Sequence, residues 1–402
     1  MDKTPSSNRI TIAFYGKRNA GKSQLLNGIT GQEVAVVSPV PGTTTDPVKK
    51  AMELHPLGPV LFIDTAGLDD EGELGRRRVE KTRQIIDRTD FAVYVMDIND
   101  PGEDEYRQAT AGFKELNIPY LTVINKTDTV GSRQLDAMKA KYPEAVFLSA
   151  VNPRDLEKFR RILVERIRNS VEEKEPPLVG DLVPYNGKVV LVVPIDAQAP
   201  KGRLILPQVQ VIRDCLDHGI KSYVVRDTEL ASALEDLDDI DLVITDSQAF
   251  REVARIVPES IKLTSFSILF ARHKGDLTVL LEGIKSLEQL PNPARILIAE
   301  NCTHNPGCED IGRVKIPALL RKKLRQQLEI ETIGGKELPA DLTGYDLVIH
   351  CGGCMLNRRA MQSRLLFFRE HNIPVTNYGM VIAYCNGILE RATGILTGGR
   401  AK

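Results

Sequence analysis

The sequence contains no tryptophan, and aromatic residues of every kind make up 5% of its 402 positions. That scarcity argues against the stacking platforms on which proteins lay single-stranded nucleic acid. Neither sign of charge is in excess. The 53 Lys and Arg stand against 54 Asp and Glu, for a formal net charge of -1, so overall charge gives no reason to expect binding to nucleic acid or another polyanion. No stretch approaches the roughly 18 consecutive apolar residues of a membrane span, and the opening MDKTPSSNRI has a lysine but no apolar signal core. A soluble, cytoplasmic protein with no membrane or nucleic-acid partner is the expectation. Six cysteines in a chain this long, without a secretion signal, argue for thiols and metal ligands over a disulfide scaffold.

What is present suits several domains. Hydrophobic residues reach 42%, ample for buried cores, and the length suggests two or three of them. In the first part ITIAFYG, VLFIDTAG, FAVYVMDIND and YLTVINKTD read as strands, each followed by polar or helical sequence. This is the rhythm of a mostly parallel sheet with helices on both faces. The charged amphipathic run LEKFRRILVERIRNSVEEKEPPLVG ends in two prolines and a glycine, which places a linker at about 172–182. Strands then restart at KVVLVVPIDAQ, SYVVRDTE, DLVITDS and IKLTSF. A third unit follows, with strands at ARILIAE and YDLVIHCGG and helical sequence between them. The expected fold is therefore α/β throughout: a nucleotide-binding domain over 1–172 and two smaller α/β domains over 182–265 and 266–402.

The motif Gly-x-x-x-x-Gly-Lys-Ser occurs as GKRNAGKS, Gly16 to Ser23, directly after a strand pattern and before a helical one. That context is the one a phosphate-binding loop requires. Its glycines let backbone N–H groups face phosphate oxygens at a helix N-terminus. Nucleotide contacts are expected from Gly16, Asn19, Ala20, Gly21, Lys22, Ser23 and Gln24. Lys22 would reach the β- and γ-phosphates and Ser23 would bind Mg²⁺. DTAG, Asp64 to Gly67, ends a strand, so Asp64 can hold the magnesium water shell while the Gly67 N–H senses the γ-phosphate. PGTTTD supplies Thr44 and Thr45, either of which can complete the Mg²⁺ shell when GTP is bound. Lys22, Ser23, Thr44, Asp64 and Gly67 are thus the catalytic set.

The base follows from NKTD, in which Asn125, Lys126 and Asp128 follow a strand. A carboxylate there accepts both N1–H and N2–H₂ of guanine, whereas adenine offers no such pair, and unpaired polar groups penalise the wrong base. Ser149 and Ala150 fit the last base-contacting loop. GTP and GDP are the expected nucleotides. On these motifs residues 9–170 resemble a translation-factor-related GTPase, close to the Era and tRNA-modification group. Where Ras-like enzymes carry a water-orienting glutamine, this chain has Leu68, so intrinsic GTP hydrolysis is expected to be slow. Asn19 matches the asparagine that, in the resembling group, helps bind an activating potassium ion (K⁺), though asparagine also suits a tight loop. The runs at 38–46 and 67–80, the latter including LDDEGELGRRR, read as the two switches whose ordering follows the γ-phosphate.

The other chemistry lies near the C-terminus. Cys302 and His304 sit in ENCTHNPGCED past the strand ARILIAE, and His350, Cys351 and Cys354 sit in HCGGCM past YDLVIH. Both groups lie at C-terminal strand ends, where open α/β sheets place ligands. Gly352 and Gly353 allow the tight turn that points two sulfurs at one centre. A closed zinc site on Cys302, His304, Cys351 and Cys354, a dithiol redox pair, and an iron–sulfur cluster on three thiolates all tolerate this pattern. Cys308 is a spare thiol, and Cys215 and Cys385 read as core residues.

Taken together, the GTPase motifs, the small α/β region and the Cys-x-His…His-Cys-x-x-Cys pattern resemble the HydF family, the scaffolds of FeFe-hydrogenase maturation. The resemblance covers nearly the whole chain. It implies a 4Fe–4S cluster on Cys302, Cys351 and Cys354; the fourth position stays open, with His304 and His350 candidates by their place in the sequence, Glu300 a carboxylate in reach, and water or the incoming precursor equal alternatives. It also implies a homodimer formed through the middle domain, a di-iron precursor received from the radical-SAM partners HydE and HydG, and its delivery to apo-FeFe-hydrogenase. The rival expectation is an RNA- or ribosome-associated GTPase with a structural zinc site, against which stands the lack of a basic patch and of aromatic RNA-binding motifs. A thiol oxidoreductase is a weaker third.

Overall fold

Continuous apolar runs become strands covered on both faces, and the computed structural model gathers those of the described residues into three sheets. It describes residues 6–31, 48–65, 85–171, 176–195, 204–301, 310–335, 338–339 and 341–397. The chain divides into two units, 1–175 and 176–402.

In the first unit β1 (Ile10–Tyr15), α1 (Lys22–Thr30), β2 (Val48–Leu54), β3 (Gly58–Asp64), β4 (Phe91–Asp97), α2 (Glu103–Glu115), β5 (Tyr120–Asn125), α3 (Ser132–Lys141), β6 (Val146–Phe147) and α4 (Pro153–Val171) follow in order. The six-stranded sheet has the order β2-β3-β1-β4-β5-β6, parallel except where β2 pairs antiparallel with β3. The central β4 is buried along nearly its whole length, as a strand with both faces covered must be. The edge strand β2 instead alternates exposed and half-buried positions, and its VKKAMEL composition left no clear strand signature in the sequence. Parallel order sends the C-terminal ends of β1, β3, β4 and β5 to one edge of the sheet, where the motifs lie.

The second unit runs β7 (Lys188–Val192), α5 (Leu206–Asp217), β8 (Lys221–Val225), α6 (Leu230–Asp236), β9 (Leu242–Thr245), α7 (Phe250–Ile256), β10 (Lys262–Ser265), α8 (Phe266–Lys274), α9 (Leu277–Lys285), β11 (Ala294–Glu300), α10 (Ile316–Leu324), β12 (Leu328–Gly334), β13 (Leu347–His350), α11 (Arg358–Glu370), β14 (Val375–Asn377), α12 (Tyr378–Cys385) and α13 (Leu389–Thr397). It holds two four-stranded sheets, β10-β9-β7-β8 and β12-β11-β13-β14, both parallel. One buried apolar cluster takes residues from both, including Val190, Val243, Ile296 and Ile349. The final helix α13 returns to the first of these sheets, where Thr264 Oγ1 donates to Ala392 O (2.8 Å).

Two sequence expectations shift. The segment after ARILIAE is not wholly helical, since β12 follows α10 and pairs with β11 along seven residues. Residues 176–182, read as linker, are packed in the second unit. The Asp214 carboxylate accepts from the amides of Leu178, Val179 and Gly180, and Leu178 and Val179 are buried. No helix among the described residues is long and apolar enough to cross a membrane.

Close approach of α9 to β14 depends on Gly283, where a Cβ would lie 1.9 Å from Val375 O. Backbone cannot move aside cheaply. Gly283→Ala is therefore expected to lower stability by about 2 kcal/mol despite alanine's better helix propensity, read as a lower denaturant midpoint for the second unit.

Candidate functional site

The phosphate loop is built where two backbones almost touch. Gly16 has φ 140°, and a Cβ there would lie 2.1 Å from Val95 O. Gly21, with φ 92°, caps α1 and leaves room for the Asn125 amide, which a Cβ would meet at 2.2 Å. Lys22 is buried at 7% exposure, and its Nζ donates to Gly16 O (2.9 Å) and Lys17 O (2.8 Å). Ser23 Oγ donates to Asp64 Oδ2 at 2.5 Å, so the two expected magnesium groups stand side by side. Asp64 Oδ1 is buried without a hydrogen-bond partner among the described residues. Burial pushes the Asp64 carboxyl above its ordinary range, against the opposing pull of Ser23 and Lys22. A buried carboxylate oxygen without a partner, beside a serine hydroxyl, fits a divalent cation.

Asn125 is fully buried and joins three motifs. Its Nδ2 donates to Ala20 O (3.0 Å) and its Oδ1 accepts from the Ala150 amide (2.9 Å). Lys126 adopts φ 65° and donates to Asp97 Oδ2 (2.6 Å). Burial alone would raise the Asp97 carboxyl, but bonds from Lys126 and Asn99 outweigh it and hold it below the usual range. Asp128 stands exposed in the short 3-10 turn that follows, open to a base. The Ser149 amide is fixed by Asp155 Oδ2 (2.9 Å). Asn19 is exposed in a left-handed conformation, φ 63°, which asparagine tolerates. Gln24, in the first turn of α1, is exposed. Thr44, Thr45, Gly67 and Leu68 and both switch runs lie outside the described residues. Asp97 and Asp155 went unremarked in the sequence, although each sits beside a motif, at a strand end and in a helix first turn.

At the cysteine end β11 and β13 are neighbours, with Ala299 paired to His350. The Cys351 amide donates to Ala299 O (2.9 Å), and the Asn301 amide donates to Cys351 Sγ (3.3 Å). Asn301, where the first segment begins, thus meets Cys351 at one sheet edge. Gly353 takes φ 61°, with Met361 Cε 2.2 Å from where a Cβ would stand. Cys351 is buried and Cys354 half-buried. Lys274, 3% exposed, holds the far side of the turn by donating to Cys354 O (3.3 Å) and Leu356 O (2.8 Å). Cys302, His304 and Cys308 lie outside the described residues, and among the described residues no group of three His, Cys, Asp or Glu stands ready for a metal ion.

The expectation that His350 serves as a fourth ligand meets a competing role. His350 is 1% exposed. Its Nε2 faces Arg364 Nη1 (2.9 Å) and its Nδ1 faces Cys351 O (2.6 Å). A guanidinium only donates, so Nε2 accepts and Nδ1–H donates to the carbonyl, which commits both nitrogens inside the protein. Glu300 is nearly buried, accepting from Tyr378 OH (3.0 Å) and pairing with Arg313 Nε (3.5 Å). Burial first, then the nearby Glu300 and Cys351 charges, push the Tyr378 phenol up, so it remains a donor. Elsewhere burial raises the thiols of the buried Cys215, to about 12, and the half-buried Cys385, to about 11, as apolar surroundings do.

Comparison with known proteins adds three matches in chain order. Residues 11–126 match the model of the 50S ribosome-binding GTPase. Residues 178–275 match the hydrogen maturase F dimerization domain, and 278–395 the hydrogen maturase F tetramerization domain. The chain is 36% identical over 164 residues to a tRNA modification GTPase MnmE of Ralstonia nicotianae, covering 39% of this chain and 34% of that protein. It is 30% identical over 204 residues to GTPase Der of Clostridium botulinum, covering 43% of this chain and 46% of that one. The chain thus spans about a third to a half of these relatives. Among solved structures, Era of Aquifex aeolicus bound to GDP and AlF₄⁻ matches with 21% identity and a TM-score of 0.34 over 61% of this chain and 97% of that one.

Replacing Asn125 by Ala leaves the Ala20 carbonyl and the Ala150 N–H buried without their partner. A loss of about 3 kcal/mol in the stability of the first unit is expected, measured by denaturant unfolding without nucleotide.

Proposed function

The chain belongs to the hydrogen maturase F family, carrying both of that family's domains after a GTPase domain, and from that premise we propose that it is a GTP-hydrolysing scaffold and carrier. It would hold a 4Fe–4S cluster on Cys302, Cys351 and Cys354, receive a di-iron precursor from the radical-SAM maturases HydE and HydG, and deliver it to apo-FeFe-hydrogenase. The observation that carries this reading is the parallel pairing of β11 with β13, which brings HCGGC against the start of the Cys302 segment. The cluster would supply an iron site for the precursor. The chain's own residues hold the thiolates in place, with Lys274 and the Gly353 turn fixing Cys354. For the fourth position Glu300 is favoured over His350, because the carboxylate keeps further lone pairs after bonding Tyr378 and Arg313 whereas the imidazole has none left. His304 is the other candidate. On domains, we assign GTP binding to 1–172, dimerisation to 182–265 and the cluster to 266–402; the dimerization-domain match at 178–275 supports the middle assignment.

In the GTPase domain Lys22 would neutralise the β- and γ-phosphates, and Ser23 with Thr45 would ligate Mg²⁺. Asp64 would hold the metal's water, and Thr44 and Gly67 would report the γ-phosphate. Asp128 would select guanine. Leu68 carries no hydrogen-bonding group to orient water, so hydrolysis is slow and K⁺ beside Asn19 offsets transition-state charge. GTP then serves timing through the switch runs and supplies no chemistry to the cluster. The second reading, an RNA- or ribosome-associated GTPase with structural zinc, draws on the match of residues 11–126 to the ribosome-binding GTPase model.

Lys22→Ala is expected to reduce GTP hydrolysis by about a hundredfold or more while iron content stays at the wild-type value; retained hydrolysis would sink the phosphate-loop assignment. Exchanging potassium for sodium is expected to slow hydrolysis by the wild type, and an Asn19→Ala variant should lose that difference. Equal rates in both salts would remove the potassium site.

A further inference from the structure

Arg364 lies at an unusual place for an arginine. In α11 the buried positions are Met361, Arg364, Leu365 and Phe368, the apolar stripe of an amphipathic helix, and Arg364 is 8% exposed there. A buried guanidinium is retained only where it finds fixed acceptors. Two of its acceptors lie at the C-terminal ends of the neighbouring strands β11 and β13. Nη1 donates to His350 Nε2 (2.9 Å) and Nη2 donates to Asn301 Oδ1 (3.1 Å). Asn301 immediately precedes Cys302 and His350 immediately precedes Cys351. The chain continues inward, because His350 Nδ1–H donates to Cys351 O and the Asn301 amide to Cys351 Sγ.

We propose that Arg364 is a positioning residue for the metallocofactor, a two-armed clamp that fixes the spacing between Asn301, just past β11, and His350, at the end of β13, before iron arrives. The proposal rests on the cluster reading above. Its physical basis is the guanidinium's rigid fork, which can bond two acceptors at once in a fixed geometry; an ammonium is a point donor and does not preserve that fork. Ligands held in place by outer hydrogen bonds lose less freedom on metal binding, and removal of such partners typically weakens metal binding about 10–100-fold. The guanidinium also brings a fixed positive charge beside residues that adjoin two thiolate ligands. That charge favours the more negative, reduced state of an iron–sulfur cluster and so raises its potential. Geometry and charge are separable: Arg364→Lys keeps the charge and loses the fork, and Arg364→Gln loses both.

The test uses the full chain, reconstituted anaerobically with iron and sulfide, with three readouts: iron per chain, iron loss to a chelator, and the cluster's midpoint potential. Thermal unfolding of each apo variant controls for folding. R364K is expected to lose iron about tenfold faster than the wild type with its midpoint near the wild-type value. R364Q is expected to lose iron at least as fast and to shift its midpoint downward. Asn301→Ala, which removes one arm, should speed iron loss alone, yet add little when combined with R364K, because both open the same clamp. If R364Q does not fold, R364K and Asn301→Ala still decide the spacing role. An R364K chain that holds iron as the wild type does would overturn the proposal alone, as would additive losses in the double variant or an R364Q midpoint equal to that of the wild type. A wild-type chain that takes up no iron would overturn the cluster reading, and this proposal with it.

Discussion

Parallel pairing of β11 with β13 is the contact on which the C-terminal site depends. The two cysteine-bearing segments are far apart in the chain, and the Asn301–Cys351 bond joins residues 50 positions apart. Nothing local could join them. Side-by-side parallel strands put both C-terminal ends at one edge, and register decides the rest, since Ala299 opposite His350 sets Asn301 against Cys351. A slip of one residue would turn the inward-facing side chains to the other face. The apolar cluster around Ile296, Ile298, Val348 and Ile349 opposes such a slip. Core packing and site geometry are thus the same constraint seen from two directions.

The GTPase unit follows the same logic with a different device. Its motifs come from β1, β3, β5 and the loop after β6, and the parallel sheet delivers them to one edge. Final alignment there is made by a buried amide: Asn125 bonds the phosphate loop through Ala20 and the base loop through Ala150. Asn125 is therefore as much a brace between loops as part of a base-recognition motif. Buried polar groups act in both units as cross-links between segments distant in sequence, and in both they stand directly beside residues expected to touch the ligand.

Legibility in the sequence tracked how local the cause was. GKRNAGKS, DTAG and NKTD are short, and their chemistry is carried by backbone conformation at fixed offsets, so they could be read residue by residue. That both cysteine segments follow apolar strands is legible, but that those strands are neighbours comes only with the fold, which pairs β11 with β13. Strands with mixed composition were missed: β12 (LEIETIG) and β2 (VKKAMEL) are half-exposed and carry charged side chains, so their alternation is blurred. The prolines at 176–177 suggested a linker, but the packing that fixes residues 178–180 comes from Asp214, more than thirty residues on. His350 is a ligand candidate by its place in HCGGCM, whereas its bond to Arg364, on another element, is visible only in the fold. One signal for Arg364 was present, a charged residue on the apolar stripe of a helix, and its meaning appears only when the strand ends beneath it are known.

The central claim is that one polypeptide joins a GTP switch to an iron–sulfur site on Cys302, Cys351 and Cys354. Metal and sulfide analysis of the anaerobically purified chain, joined to electron paramagnetic resonance of the reduced sample, tests it most directly. A brown protein with about four irons per chain is expected, its signal lost when Cys351 is replaced by Ser. A colourless protein holding one zinc per chain would contradict it.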